Sequence, residues 1–374
     1  MDRPLRASSP VPSPLTFDEA LRIAVERNPD LVALRARAAA VNVNPPPEPL
    51  ELGAGVDSDE RWEAAASLDA LSLLGLGTRR AERALAFARR HEAWMEHHAR
   101  AREVAREIAE VFAVERGLDS LSVPDLSVDA GVYVRAGFES GVAETLAEAT
   151  RRDWKAEADR RSAERASNHA SLVRLLGLPP GTPLALVPVP EGWPVVPSPV
   201  PAILIRTRAD IQRRVAAFEV ADRDLRRAVV AQYPSIVLEP AIAADPTTLF
   251  GAVRLRLPVG AKSEVCAAGA AREAARSEVE SAILDALRDA EQSRARLNAA
   301  VSTREAAAGR LGASSELFRA VRTRLQVQVG SVMELVLTAD SVVDAARAHR
   351  EAALDDARLR VRAASEAGWP SPTP

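Results

Sequence analysis

Along most of this chain the apolar residues recur every three or four positions, and in two places they alternate with polar ones instead. The first helical run is "LTFDEALRIAVERNPDLVALRARAAAVN". Thr16 stands where an N-cap belongs, and Glu19 follows three residues on, the spacing of a capping box. Leu21, Ala24 and Val25 repeat at helical spacing as far as Asn28-Pro29. Pro29 then opens a second helix to about Val41, because the first helical position needs no N–H. From Thr78 to about Arg116 there is neither Pro nor Gly, which predicts a helix of nearly 40 residues, roughly 57 Å at 1.5 Å per residue. Another helical stretch ends at Gly177, read as a C′ glycine with Pro179 just beyond it. "LPPGTPLALVPVPEGWPVVPSPVP" reads as a Pro-rich connector.

After the connector the pattern starts again. "RADIQRRVAAFEVADRDLRRAVVAQ" predicts a helix ended by Pro234. Helix follows from about Ser263 to the C-terminus, with interruptions expected at Gly309, Gly312 and Gly330. "NPDL" at 28–31 matches "RADI" at 208–211, and "SGVAETL" at 140–146 matches "VGSVMEL" at 329–335. Each half therefore reads as helix, extended pair, long helix and Gly-interrupted helix, an internal duplication. The boundaries are a tail over 1–14, a first repeat over 15–187 with its hairpin at about 50–74, and a linker over 188–201. A second repeat covers 202–368 with its hairpin at 235–259, and a tail covers 369–374.

The alternating segments predict hairpins. Asp245-Pro246-Thr247-Thr248 suits a tight turn, with Pro at its favoured second position. Strands Ser235–Ala244 and Leu249–Val259 then pair outward from Ala244 opposite Leu249. That register sets Ile242 opposite Gly251, Leu238 opposite Leu255 and Ile236 opposite Leu257 on one face. On the other face Glu239 falls opposite Arg254, a favourable cross-strand pair. The first half offers a weaker counterpart, Leu50–Val56 against Trp62–Leu68. Strands of this length suit a small open sheet packed on helices, and they equally suit tilted strands crossing a bilayer. Four strands leave open edges, which hydrocarbon forbids, so the second reading needs further copies of the chain.

Composition narrows the function classes. Of the 374 residues 47% are hydrophobic but only 4% aromatic, which fits closely packed Ala-rich helices better than a large globular core. The formal net charge of −3 gives no reason to expect nucleic acid as a partner. A single cysteine, Cys266, excludes an internal disulfide and a multi-cysteine metal site and reads as a small buried or groove-facing residue. "HEAWM" at 91–95 lacks the second histidine of a zincin helix, so His91, His97 and His98 read as surface residues. No metal or cofactor is expected, and no P-loop, dinucleotide-binding glycine pattern or nucleophile–base pair suggests an enzyme. No apolar stretch is long enough for a membrane helix. The start, "MDRPLRASSPVPSPLTFDEA", carries charge but no apolar run, so no secretory signal is expected in it.

Taken in order, "LTFDEALRIAVERNPDLVALRA", "LGLPPGTPLAL", "RADIQRRVAAFEVADRDLRRA", "LRLPVGAKSEV" and "VQVGSVMELVLTADSVVDAARAHREA" resemble the TolC family of outer-membrane efflux proteins over residues from about 15 to 368. "PEPLELGAGV" and "LGLGTRRAERA" look most like its metal-cation branch. The resemblance implies a mainly α protein with a minor β part, its duplicated long helical hairpins forming a periplasmic α-barrel. Each chain would add four strands to a trimeric β-barrel in outer-membrane lipid. It implies a homotrimer that works with a periplasmic adaptor and an inner-membrane pump, exports small molecules or metal cations passively, and occupies the outer membrane and periplasm. The chain departs from the family in its missing leader and lipidation cysteine, its short first hairpin, and Val123-Pro124, which falls where the family keeps a helix continuous. The missing leader leads us to expect either that the start is miscalled or trimmed, or that the protein is not exported. The short first hairpin and Val123-Pro124 favour the alternative of a soluble or non-conducting helical scaffold. A periplasmic adaptor would need lipoyl-like and barrel domains that the sequence does not contain.

Two constellations follow. Gly141 and Gly330 occupy matching positions of the repeat, where the family has its adaptor-contact tips, and Val142, Val329 and Val332 would supply the contact. The plainer reading is an ordinary helix break. Glu144, Glu334, Asp340 and Asp344 lie just beyond these turns. Threefold symmetry would make rings of any that face a pore, favouring cations. The competing reading is a solvated face paired with Arg324 or Arg347.

Overall fold

The computed structural model describes residues 13–41, 51–56, 62–69, 78–119, 141–197, 201–233, 235–242, 249–256, 261–327 and 329–369. In chain order the elements are α1 (Phe17–Arg27), α2 (Pro29–Ala40), β1 (Glu51–Val56), β2 (Trp62–Asp69), α3 (Thr78–Asp119) and α4 (Gly141–Leu175). The second half supplies α5 (Pro201–Thr207), α6 (Ala209–Val230), β3 (Ser235–Ile242), β4 (Leu249–Arg256), α7 (Ala261–Gln326) and α8 (Val332–Glu366).

The capping box at Thr16 forms as expected. The Glu19 backbone N–H donates to Thr16 Oγ1 at 3.3 Å, and the Thr16 N–H donates to Glu19 Oε2 at 3.0 Å. These bonds to the carboxylate hold the Glu19 pKa below the usual range. Gly177 terminates α4 at φ +64. Its N–H donates to Arg174 O and the Leu178 N–H to Val173 O, the two bonds of a Schellman cap. Gly368 ends α8 in the same way, with Gly368 N–H to Ser365 O and Trp369 N–H to Ala364 O, so both repeats close on one device. Helix α5, with Pro201 at its first position, covers residues to which the sequence reading gave no element beyond the linker's last residue; it stands before α6 as α1 stands before α2.

Two expectations are corrected in α7. Gly309 and Gly312 do not interrupt it, and helix runs unbroken from Ala261 to Gln326. An interior glycine costs only about 1 kcal/mol relative to alanine, and the Ala, Arg, Glu and Leu around these positions absorb that cost. Cys266 is exposed rather than buried. Val123-Pro124 lies outside the described residues.

The four strands form one antiparallel sheet in the order β1-β2-β3-β4. The first hairpin pairs Val56 with Trp62, as predicted. The second is two residues out of the predicted register. Ile242 pairs with Leu249, Leu238 with Val253, Ile236 with Leu255, and Val237 rather than Glu239 with Arg254. The last described pair is Ile242 with Leu249; residues 243–248 and Leu257 lie outside the described residues. An even shift preserves pleat parity, so the predicted faces survive. By register, Leu52, Ala54, Val56, Ala64, Leu68, Ile236, Leu238, Ile242, Leu249, Val253 and Leu255 share one face. Glu51, Glu63, Asp69, Glu239, Arg254 and Arg256 share the other.

The chain packs as two compact units, and neither coincides with a sequence half. One comprises residues 1–29, 101–204 and 286–374, the other 30–100 and 205–285. In the first, Phe318, Val321, Leu325, Val332, Leu335, Val336, Ala339 and Val342 from α7 and α8 enclose Ala147 of α4. A second cluster joins Ala109, Ala113, Ala357 and Val361, with Phe17, Trp193 and Trp369 packed against it. Among the described residues no helix is long and apolar enough to cross a membrane.

Candidate functional site

The α7–α8 turn is built by short local bonds. The Val329 N–H donates to Arg324 O at 3.0 Å. Ser331 caps α8 by accepting from the Met333 N–H at 3.1 Å. An Arg324–Glu334 ion pair at 2.8 Å spans the turn. Gly330 is required by space rather than by φ, since a Cβ there would lie 3.0 Å from Leu325 N and 3.2 Å from its Cα.

Around this turn Val329 is 77% exposed and Val142, one residue into α4, is 59% exposed. Val327 and Leu337 are exposed as well. Val332 does not belong with them. It is 1% exposed and anchors the turn inside the α7–α8 core, because a first-turn apolar residue under a Ser cap faces the partner helix. Gly141 is the first residue of α4. The structure thus brings Ala147 of α4 onto the α7–α8 turn while leaving two of the three predicted valines outward.

The predicted carboxylates divide. Glu334 is taken up by Arg324, and Asp344 pairs with Arg347 at 3.4 Å, as the solvated-face reading required. Glu144 is exposed. Asp340 has no such ion pair among the described residues. Partial burial, then the neighbouring Asp344 and Asp153 carboxylates, push its pKa up against the weaker pull of Arg347. Asp153 comes from α4 and was not picked out from the sequence; only the α4–α8 pairing brings it near.

Further along α4 and α8 lies a buried charge cluster that the sequence reading missed. Glu157 Oε1 sits 2.5 Å from Arg350 Nε, and Arg350 Nη1 lies 2.7 Å from Glu164 Oε1. Arg160 and Arg347 approach Glu157 Oε2 at 3.8 and 3.9 Å. Neither Glu157 oxygen has a well-aligned hydrogen bond, so the attraction is mainly coulombic.

Histidine 97, expected at the surface, is 5% exposed, and neither ring nitrogen has a hydrogen-bond partner among the described residues. Trp94 packs edge-on against it at 5.5 Å. Burial first, then the charges of His98 and Arg35, hold its pKa below 6.5. The unfolded chain therefore takes up this proton at a higher pH than the folded one. Stability present above pH 6.5 is lost as pH falls from there through the folded-state value, with a slope of at most about 1.4 kcal/mol per pH unit for one group. Urea unfolding between pH 7.5 and 5.5 should show this loss, and His97→Phe should flatten it. An unchanged pH slope in the variant contradicts the assignment. Among the described residues no group of histidines, cysteines and carboxylates could hold a metal ion.

By sequence, no family profile and no curated protein matches this chain. By structure the matches are extensive, and several are to outer-membrane proteins and channels. VceC from Vibrio cholerae superposes with a TM-score of 0.74 at 15% identity, covering 94% of this chain and 96% of that one. The outer-membrane channel OprN gives 0.77 at 16%, covering 94% and 89%. CusC, whose structures concern folding and transmembrane channel formation, gives 0.73 at 15%, covering 98% of both chains. The fold is thus that of the TolC-like outer-membrane channels, in its duplicated helical hairpins and over nearly the full length. The similarity to CusC does not stand apart from the other two, so the fold does not single out the metal-cation branch.

Proposed function

We propose that this chain is the outer-membrane duct of an efflux assembly, a passive channel for small molecules or metal cations whose transport is driven by a pump elsewhere. The observation that carries the reading is the sheet. Register places apolar residues of all four strands on one face and charged residues on the other, the arrangement of strands with lipid on one side and water on the other. Among the described residues β2, β3 and β4 have eight residues each and β1 has six, about 26 and 20 Å along the strand, against the roughly 9–11 residues of a tilted strand that crosses a bilayer. Within one chain β1 and β4 are the outermost strands. Three copies joined β4 to β1 would close the barrel and remove its edges.

In this reading Gly141, Val142, Val329 and Gly330 form the tip that meets a periplasmic adaptor, with the exposed Val142 and Val329 as the apolar contact. Asp340, flanked by Asp344, is the carboxylate that would repeat as a ring around the pore. Glu144 and Glu334 have lesser parts there, Glu334 being held by Arg324. The chain, exported to the outer membrane, should run as a heat-modifiable trimer from that fraction and conduct in planar bilayers. Asp340→Asn together with Asp344→Asn should lower cation selectivity severalfold with the trimer intact. A monomer that stays in solution without detergent would instead mark a non-conducting scaffold and end the channel reading.

A further inference from the structure

The cup where the linker crosses α3, α7 and α8 in the first compact unit has no part in the channel reading. Its volume is about 310 Å³, at the lower end of small-ligand pockets. The space exists because the floor is Ala113, Gly117, Ala308, Ala353 and Ala357, none of which reaches far enough to fill it. The linker segment Val189–Trp193 forms one wall. Gly192, at φ +76, turns its carbonyl to accept from Arg360 Nη1 at 3.4 Å.

The charges in the cup are unequal in depth. Asp356 is 3% exposed and lies between two guanidiniums, 3.2 Å from Arg304 Nη1 and 3.1 Å from Arg360 Nη2. That leaves each arginine with further N–H donors, since a guanidinium carries five. Arg304 spends one on Glu191 at 3.4 Å, whose side chain is largely in water. Arg116 lines the same space and has no ion pair or hydrogen bond among the described residues. His349 adds a buried Nδ1 with no hydrogen-bond partner among the described residues. Glu305, the remaining acid, is exposed at the rim. Three guanidiniums and an imidazole thus line the space with three carboxylates, of which only Asp356 is buried.

We propose that this cup binds a small soluble anion presenting carboxylate or phosphate oxygens, held by Arg116 and His349 and by the free donors of Arg304 and Arg360. Arginine forks match both oxyanions in planar, two-point contacts. The occupant would fasten the linker to three helices at once, and its binding does not depend on whether the chain conducts.

The test is thermal unfolding and calorimetry on the purified full chain, titrated with citrate or with inorganic phosphate at ionic strength fixed by sodium chloride. Saturable stabilisation by either probe supports the site, and the stronger one tells the carboxylate from the phosphate preference. Arg116→Gln should weaken that binding about tenfold or more, the loss of one charge-assisted contact. It should leave unliganded unfolding nearly unchanged, because among the described residues Arg116 makes no ion pair or hydrogen bond. Glu305→Gln should bind at least as tightly as the parent. No saturable effect with either probe overturns the proposal, as does equal stabilisation of the parent and Arg116→Gln, which marks a general salt effect.

Discussion

Gly177→Ala is expected to lower the unfolding free energy by about 3 kcal/mol, the combined cost of a left-handed residue and a steric conflict. At φ +64 alanine is strained on its own account. A Cβ there would also lie 2.5 Å from the carbonyl oxygen of Arg27 and 2.9 Å from its carbon. Backbone cannot step aside as a flexible side chain can. The α1–α2 corner sits on this cap, with Asn28 Nδ2 donating to Leu175 O at 2.9 Å, so relieving the clash means lifting the corner off α4. Gly181→Ala is the control. Gly181 also has positive φ, at +81, but nothing lies within 4 Å of its Cβ position, so it should lose only about 1 kcal/mol. Urea midpoints of the two variants check the difference. Equal losses would remove the steric part of the explanation.

The second large effect is at Arg350. Arg350→Met should cost about 3 to 5 kcal/mol, the usual penalty for stranding a buried charge. Glu157, at 2% exposure, would keep only Arg160 and Arg347 at 3.8 and 3.9 Å. The double variant Glu157→Leu with Arg350→Met should recover most of the loss, since apolar replacement of a whole buried pair is often neutral. Chemical unfolding of the single and double variants measures the coupling. If the double variant is as unstable as the sum of the two singles, the pair is not what holds α4 to α8.

How much of this was legible in the sequence depends on how local the deciding physics is. The Thr16 capping box and the Gly177 cap depend on neighbours within five residues, and they appear as expected. The hairpin register depends on how the turn closes. The Asp245-Pro246 signal and the Glu239–Arg254 pairing argued for a turn over 245–248, and the ladder lies two residues from the register that turn would set. Gly309 and Gly312 looked like breaks because glycine is costly in a helix, yet the cost is small beside 66 residues of continuous α7. Glu157 and Arg350 were invisible because charges spaced along an Ala-rich helix look the same whether they face water or another helix. Val332 and His97 failed for the same reason, since only the partner helix decides which side is inside.

Phe17, near the start of the first half, stacks on Trp369, near the end of the second, with ring centroids 5.6 Å apart. Trp193, from the stretch where one half hands over to the other, meets both, at 4.9 and 5.2 Å. Beginning, junction and finish therefore converge on a single aromatic knot, and the two copies form a cycle rather than a line. Nothing in that geometry dictates which copy is translated first. A permuted gene that opens in the Pro-rich stretch and joins residue 369 to residue 15 through a short tether would encode the same architecture.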